Sequence, residues 1–412
     1  MEICTKKVCQ LIDEGVIFPP IDGNHGEKHP KTSDYVDKGI PFILVQDLKD
    51  GTVDLEHCYY IAESQAKTLT KGISKTDDVL FTHKATIGKV AIVDTQEYDY
   101  IILTPQVTYY RIKNSNVLSN KYLYFYFQSK AFQDIFRLYA SSGGTRDYLG
   151  IVAQQKLPIV YPTIEYQQRI VNVLEVYDKL IANNSKRIKV LEQMAENLYK
   201  EWFVRFRFPG HESVPFENGL PQGWEKKRTN ELCTFLNGFA FKSEEYDENG
   251  EFIVVTIKNV QDGLFDLSSI ERIGTIPKRM PEYCRLKKGD VLMSLTGNVA
   301  RVCIVSENNC LLNQRVCRIE SDYPHYSYLF FKQEAIYSTL CNLAYGTAQL
   351  NLSPILAGKL KVALPPAPLR KQFNDSVSTL FEQRQVLIEE NNNLVKQRDL
   401  LLPRLMSGKL EV

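Results

Sequence analysis

The chain repeats itself at half its length. "DDVLFTHKATIGKVAIV", residues 77–93, returns as "GDVLMSLTGNVARVCIV", residues 289–305, so Asp78 and Asp290 stand 290 − 78 = 212 positions apart in a chain of 412. Upstream, "IPFILVQDLKDGTVDL" is matched by "EFIVVTIKNVQDGLFDL", each a β-branched run that closes on Asp-Gly, at Asp50-Gly51 and Asp262-Gly263. That dipeptide tolerates the positive φ of a tight hairpin, so each half is expected to begin as a β-rich domain. Downstream, "KYLYFYF" pairs with "HYSYLFF", and "GGTRDYLGIVAQQKLPIVYP" with "YGTAQLNLSPILAGKLKVALPP". Each half ends in a proline break, at Pro162 and Pro365. A repeat of this extent admits only folds that can be built twice, and the length alone is too great for one ordinary core.

A helix is expected after each break. Ile170, Tyr177, Asn184, Leu191 and Leu198 interleave with Leu174, Ile181, Ile188, Ala195 and Trp202. In the same phase, Phe373, Leu380, Leu387, Leu394 and Leu401 interleave with Val377, Arg384, Asn391, Arg398 and Leu405. Sustained four-three steps are those of a coiled coil, and the seam asparagines Asn184 and Asn391 are of the type that fixes register at a cost in stability. Two matched helices in one chain suggest an internal coiled coil. It serves either as a plain scaffold or as a spacer presenting two similar faces at a fixed separation.

Composition narrows the function classes. Lys+Arg 50 against Asp+Glu 49 leaves no global field, so nucleic-acid binding has to come from local clusters. No apolar run approaches the ~18 residues of a membrane span, and "MEICTKK" does not read as a signal peptide, so a cytoplasmic place without membrane association is expected. The nine cysteines include no C-x-x-C pair and read as reduced packing thiols, with no metal site. There is no G-x-x-x-x-G-K-[ST] phosphate loop, no glycine-rich cofactor loop and no Asn/Asp-Pro-Pro-aromatic tetrapeptide, so no catalytic residue is assigned.

Three regions carry polar side chains suited to a nucleic acid. The first is the repeated segment, read as a loop, with His83, Lys84, Thr86 and Lys89 in one copy and Thr296, Asn298 and Arg301 in the other. Basic and amide groups on a turn can contact phosphates and base edges, and Lys89 and Arg301 read as phosphate contacts. The alternative is a solvated turn made by Gly88 and Gly297. The second is "SSGGTRDYLG" with Thr145 and Arg146, against "AYGTAQLNLS" with Thr347 and Gln349. A surface connection explains it equally well. Gln106, Gln314 and Arg315 near polar strand edges are lesser candidates. The third is "PPIDGNHGEKHPKTSDY", with Asn24, His25, Lys28, His29 and Lys31, which has no counterpart in the second half and is where a difference between the halves can reside. Gly26 and Pro30 exclude the helix that "HGEKH" would need as a zinc site. Trp202 and Phe203 in "EWFVRF" read as packing, either within the chain or against a partner subunit.

Three stretches then resemble the specificity subunit of Type I restriction-modification enzymes: "LEQMAENLYKEWFVRFRFPG", "LPQGWEKKRTNELC" and "QRDLLLPRLMSGKL", in that order and with the duplication around them. The resemblance implies an α+β chain of two mixed α/β target-recognition domains joined by two long helices as an antiparallel coiled coil. The domains are placed at 1–157 and 207–362 and the helical spacers at 158–206 and 363–412. It implies a non-catalytic subunit that reads a bipartite asymmetric target in double-stranded DNA. Two modification subunits would methylate adenine with S-adenosylmethionine, and restriction subunits would use ATP and Mg. A coiled-coil scaffold with duplicated interaction domains and no DNA specificity is the competing reading.

Overall fold

The computed structural model describes residues 3–49, 51–140, 148–346 and 349–410. The chain divides into two compact units, Met1–Ile181 with Asn393–Val412, and Ala182–Asn392. Each is built around two small sheets and a terminal ribbon.

In the first unit, Thr86–Ile92, Val79–Lys84, Val107–Tyr110 and Ile21–Asp22 lie side by side in that order, all antiparallel. Val79 to His83 are all buried, so the strand is covered on both faces and shows a continuous run where a half-exposed strand would alternate. Phe81 packs against Phe127, Phe132 and Phe136 from the helices Asn120–Gln128 and Lys130–Ala140, with ring centroids 4.4 to 5.7 Å apart. The second sheet orders Tyr35–Val36, Tyr59–Ile61, Ile40–Ile43, Ile101–Leu103 and Ile73–Ser74, with Ile40–Ile43 and Ile101–Leu103 parallel. The ribbon pairs Ile3–Lys7 with Pro158–Pro162.

The second unit repeats this plan strand for strand. One sheet orders Val302–Ile304, Val291–Ser294, Val316–Glu320 and Thr234–Asn237; the other orders Glu271–Ile273, Phe252–Val255, Cys310–Leu312 and Arg285–Leu286, again with its middle pair parallel. Glu225–Arg228 pairs with Lys361–Leu364 as the ribbon. The edge strand Tyr35–Val36, paired to Ile61 and Tyr60, is reduced in the second unit to a single bridge, Tyr246 to Ile273, and the short hairpin Phe216–Glu217 with Leu220–Pro221 belongs to the second unit.

The repeated aspartates hold the start of equivalent strands. Asp78 Oδ2 accepts from the Lys75 backbone N–H at 2.8 Å, as Asp290 Oδ2 does from that of Lys287 at 2.8 Å. Asp78 also forms a fork with Arg111, Nε to Oδ1 at 2.7 Å and Nη2 to Oδ2 at 2.7 Å, where Asp290 faces Arg318 Nη1 at 3.6 Å. Both Asp-Gly turns are hairpin turns. Gly51 has φ 78° between the paired strands Leu48–Lys49 and Thr52–Val53, and Gly263 has φ 74° within the Val260–Phe265 bridge; Asp50 lies outside the described residues.

Two long helices run through the chain, Ile164–Tyr199 and Ala367–Met406, of 36 and 40 residues. The helical spacers begin later than 158 and 363, because 158–162 and 361–364 are strand. In the second unit the helices are antiparallel. Asn391 Nδ2 donates to Ser185 Oγ at 3.2 Å and Arg384 Nε to Glu192 Oε1 at 2.5 Å, a step of 192 − 185 = 7 along one against 391 − 384 = 7 back along the other. In the first unit Arg398 Nη1 donates to Asp178 Oδ1 at 2.7 Å.

Much of the face read as a heptad seam is buried or half-buried, and its outer residues reach into the domain cores. Asn184 is buried, and Asn391 donates to Ser185 on the facing helix. Ile170 is buried in the core of the first unit, with Leu401 at its margin, and Phe373 is buried in the core of the second beside Tyr199, Trp202 and Phe203. Leu198 and Leu380 pack on that second core, Leu387 is buried, and Leu191, Leu394 and Asn391 are half-buried. The helix ends dock into domain cores because their apolar residues find larger partners there than on the opposite helix. Trp202 and Phe203 thus pack within the chain. All nine cysteines are free thiols, six of them buried.

Candidate functional site

The segment read as a loop is a β-hairpin. In the first unit Val79–Lys84 turns into Thr86–Ile92 at Ala85, which has φ 66°. The strand register shifts between Ile87 and Val90, leaving Gly88 at φ 87° in a bulge. Gln133 Nε2 donates to the Gly88 carbonyl at 3.0 Å, and a β-carbon on Gly88 would collide with the Gln133 carboxamide. The second unit places left-handed residues at the same two points with the types exchanged, Gly297 at φ 74° and Ala300 at φ 62°.

This geometry corrects several candidates. His83 is wholly buried within its strand, its Nδ1 paired with the Leu149 carbonyl at 3.0 Å, and burial pushes its imidazole pKa down. It is therefore a core residue, not a loop residue free to meet a ligand. Asn24 is likewise buried, its carboxamide holding the Lys71 carbonyl at 2.6 Å and the Thr70 N–H at 3.3 Å. Lys89 and Arg301 do occupy equivalent positions, but each ties down its own Asp-Gly hairpin. Lys89 Nζ donates to the Val45 and Leu48 carbonyls at 3.3 and 3.4 Å, and Arg301 bonds Gln261. Thr296 Oγ1 is taken up by Asn351 Oδ1 at 3.0 Å. Thr145 and Arg146 lie outside the described residues, as does Thr347.

The remaining candidates converge. In the first unit a cleft of about 380 Å3 is lined by His25, Gly26, His29, Tyr35, Leu44, Lys84, Thr104, Pro105 and Gln106. The unrepeated segment supplies one wall, the end of the hairpin another, and the turn before Val107–Tyr110 the third. His25 is half-exposed and bonds Asp22 Oδ2 at 2.9 Å. Lys84 is exposed, with its ammonium 5.9 Å from the centre of the Tyr148 ring. Among the described residues, two buried atoms of this lining, Thr104 Oγ1 and His29 Nδ1, have no hydrogen-bond partner, and burial also pushes the His29 pKa down. Lys28, Lys31 and Thr86 are exposed beyond this cleft.

In the second unit Arg315, Gln314, Asn298 and Gln349 are exposed. An antiparallel bridge joins Thr296 to Asn351 where the first unit joins Lys84 to Tyr148. Tyr35, Thr104 and Tyr148 were not foreseen. They come from separate strands and loops, and no local spacing signals them.

The family model described as "Type I restriction modification DNA specificity domain" matches residues 20–193 and again 221–397. The chain belongs to this family. Each of its matches takes in one pair of sheets and most of the helix that follows. Among curated relatives, the Type I restriction enzyme MjaIX specificity subunit of Methanocaldococcus jannaschii is 29% identical over 407 residues, covering 93% of this chain and 89% of the relative. The HindI specificity subunit of Haemophilus influenzae is 21% identical, covering 86% and 91%. The crystal structure of a Type I S subunit from M. genitalium shares the fold, with a TM-score of 0.52 at 16% identity, covering 98% of this chain and 96% of that one. Among the described residues, no helix is long and apolar enough to cross a membrane.

Proposed function

We propose that this chain is the DNA-specificity subunit of a Type I restriction-modification complex in the cytoplasm, with each domain reading one half of a bipartite asymmetric target in double-stranded DNA. It performs no chemistry itself. Two modification subunits methylate adenine from S-adenosylmethionine, and restriction subunits cleave with ATP and Mg. The observation that carries this reading is that the DNA specificity domain matches twice, and each copy presents polar side chains at the end of a sheet, exposed Lys84 and half-buried Gln106 in one and exposed Arg315 in the other. Placing one such edge in each half suits a target of two unlike parts better than it suits a scaffold.

The test is binding of the assembled complex to duplex DNA across a salt series. Phosphate contacts release counterions, so affinity should fall steeply with ionic strength, and Lys84→Ala should weaken binding to all sequences alike and reduce the logarithmic slope by about 1. Binding indifferent to salt would favour the protein scaffold.

A further inference from the structure

Gln106 and Arg315 occupy one and the same place in the two units. Each immediately precedes the third strand of its sheet, where Val107 pairs with Thr82 and Val316 with Ser294. The Gln106 carbonyl accepts from the His83 N–H at 3.1 Å, and the Arg315 carbonyl from the Leu295 N–H at 2.9 Å. Two residues earlier, the Thr104 N–H donates to Ile43 at 3.1 Å and the Asn313 N–H to Val255 at 3.2 Å. The backbone is fixed identically on both sides, and only the side chain it presents differs.

Among the described residues, no hydrogen bond or ion pair engages the Gln106 carboxamide or the Arg315 guanidinium. The contrast with their neighbours is sharp. Arg318, on the same strand as Val316, is paired with Asp290 and Glu320, Arg301 bonds Gln261, and Lys89 binds two carbonyls. Gln106 further lines the cleft that holds Lys84 and the unpartnered, buried Thr104 hydroxyl. An exposed arginine without an ion pair and a cleft-wall glutamine whose carboxamide makes no hydrogen bond, both among the described residues, are groups available to something outside the chain.

The two groups differ in the base edge they match. In the major groove a carboxamide can donate its N–H to N7 of adenine and accept from the N6 amino group with its carbonyl, whereas guanine, with acceptors at both N7 and O6, leaves that carbonyl without a donor. A guanidinium has donors only, in a planar fork, and so matches the two acceptors N7 and O6 of guanine. We propose that Gln106 and Arg315 are the equivalent specificity-determining residues of the two domains, Gln106 selecting adenine in one half-site and Arg315 selecting guanine in the other. This rests on the DNA reading proposed above.

The experiment is methylome sequencing of a host that carries the chain with its modification subunits. Gln106→Arg should replace one A·T pair by G·C in one half-site and leave the other half untouched. Arg315→Gln should make the reverse exchange in the opposite half. Gln106→Ala and Arg315→Ala, which only remove atoms, should relax the same single positions, lowering discrimination there roughly tenfold to a hundredfold. Because the alanine variants keep the backbone contacts, they carry the test if an exchanged side chain prevents folding. The proposal is overturned if folded variants keep the wild-type motif, if one substitution alters both halves, or if an alanine variant with native thermal stability loses methylation at every sequence alike. A wild-type complex with no interrupted motif would instead sink the DNA reading beneath it.

Discussion

At the scale of single residues, the two hairpins show how one backbone tolerates different letters. Each has two left-handed positions and one glycine, but the glycine is second in the first unit, at Gly88, and first in the second, at Gly297, with Ala85 and Ala300 bearing the other turn. A left-handed L-residue costs on the order of 1 kcal/mol that glycine avoids. Ala85 is exposed, so Ala85→Gly sacrifices no packing. We expect it to stabilise the first unit by a few tenths to about 1 kcal/mol, the greater freedom of glycine in the unfolded chain offsetting part of the gain. Gly88→Ala adds both the backbone cost and a collision with Gln133, and should destabilise by about 1–2 kcal/mol. Urea unfolding of the two variants checks both signs, and equal midpoints would contradict the bulge geometry.

At the scale of elements, the second unit carries a titration within its core. His325, on the helix Pro324–Phe331, stacks on Phe381 of the C-terminal helix with centroids 4.4 Å apart and planes 2° from parallel. Burial lowers its pKa from 6.5 to about 4. A folded-state pKa below the unfolded one means that the unfolded chain binds the proton first, so this contribution to stability is intact above about pH 6.5 and is lost as pH falls towards 4. The loss is at most on the order of 3 kcal/mol. His325→Phe keeps the stack and should flatten the stability profile between pH 6.5 and 4, while an unchanged profile would assign the acid sensitivity elsewhere. The helices themselves were legible in the sequence because a heptad is a local pattern. Their partners were not, since whether Phe373 meets another helix or Tyr199 and Trp202 depends on where a distant domain core lies. The candidate site was less legible for the same reason. His83 looked like one of several polar loop residues, because a strand buried on both faces has no alternation to betray it. Lys84, His25 and Gln106 come together only through strand order.

At the scale of the whole molecule, the paired long helices make length a designed variable. Asn391 faces Ser185, so inserting seven residues between Asn184 and Ser185, and seven between Asn391 and Asn392, keeps the seam in phase. At about 1.5 Å per residue the added length is about 10 Å, or at most roughly three base pairs of about 3.4 Å. Methylome sequencing of this variant should find the same half-site letters at a wider spacing, with reduced affinity because the second domain meets the groove at a different angle. Robust methylation at the original spacing would show that the helices do not set the gap. The duplicated aspartates suggest where such molecules can be cut and rejoined. Asp78 and Asp290 anchor identical backbone bonds, accepting from Val93 at 3.0 Å and Val305 at 2.9 Å. A chimeric gene spliced at these codons would join two chains where their backbones already coincide, carrying a complete hairpin with its glycine and alanine together and leaving no foreign residue to strain the turn.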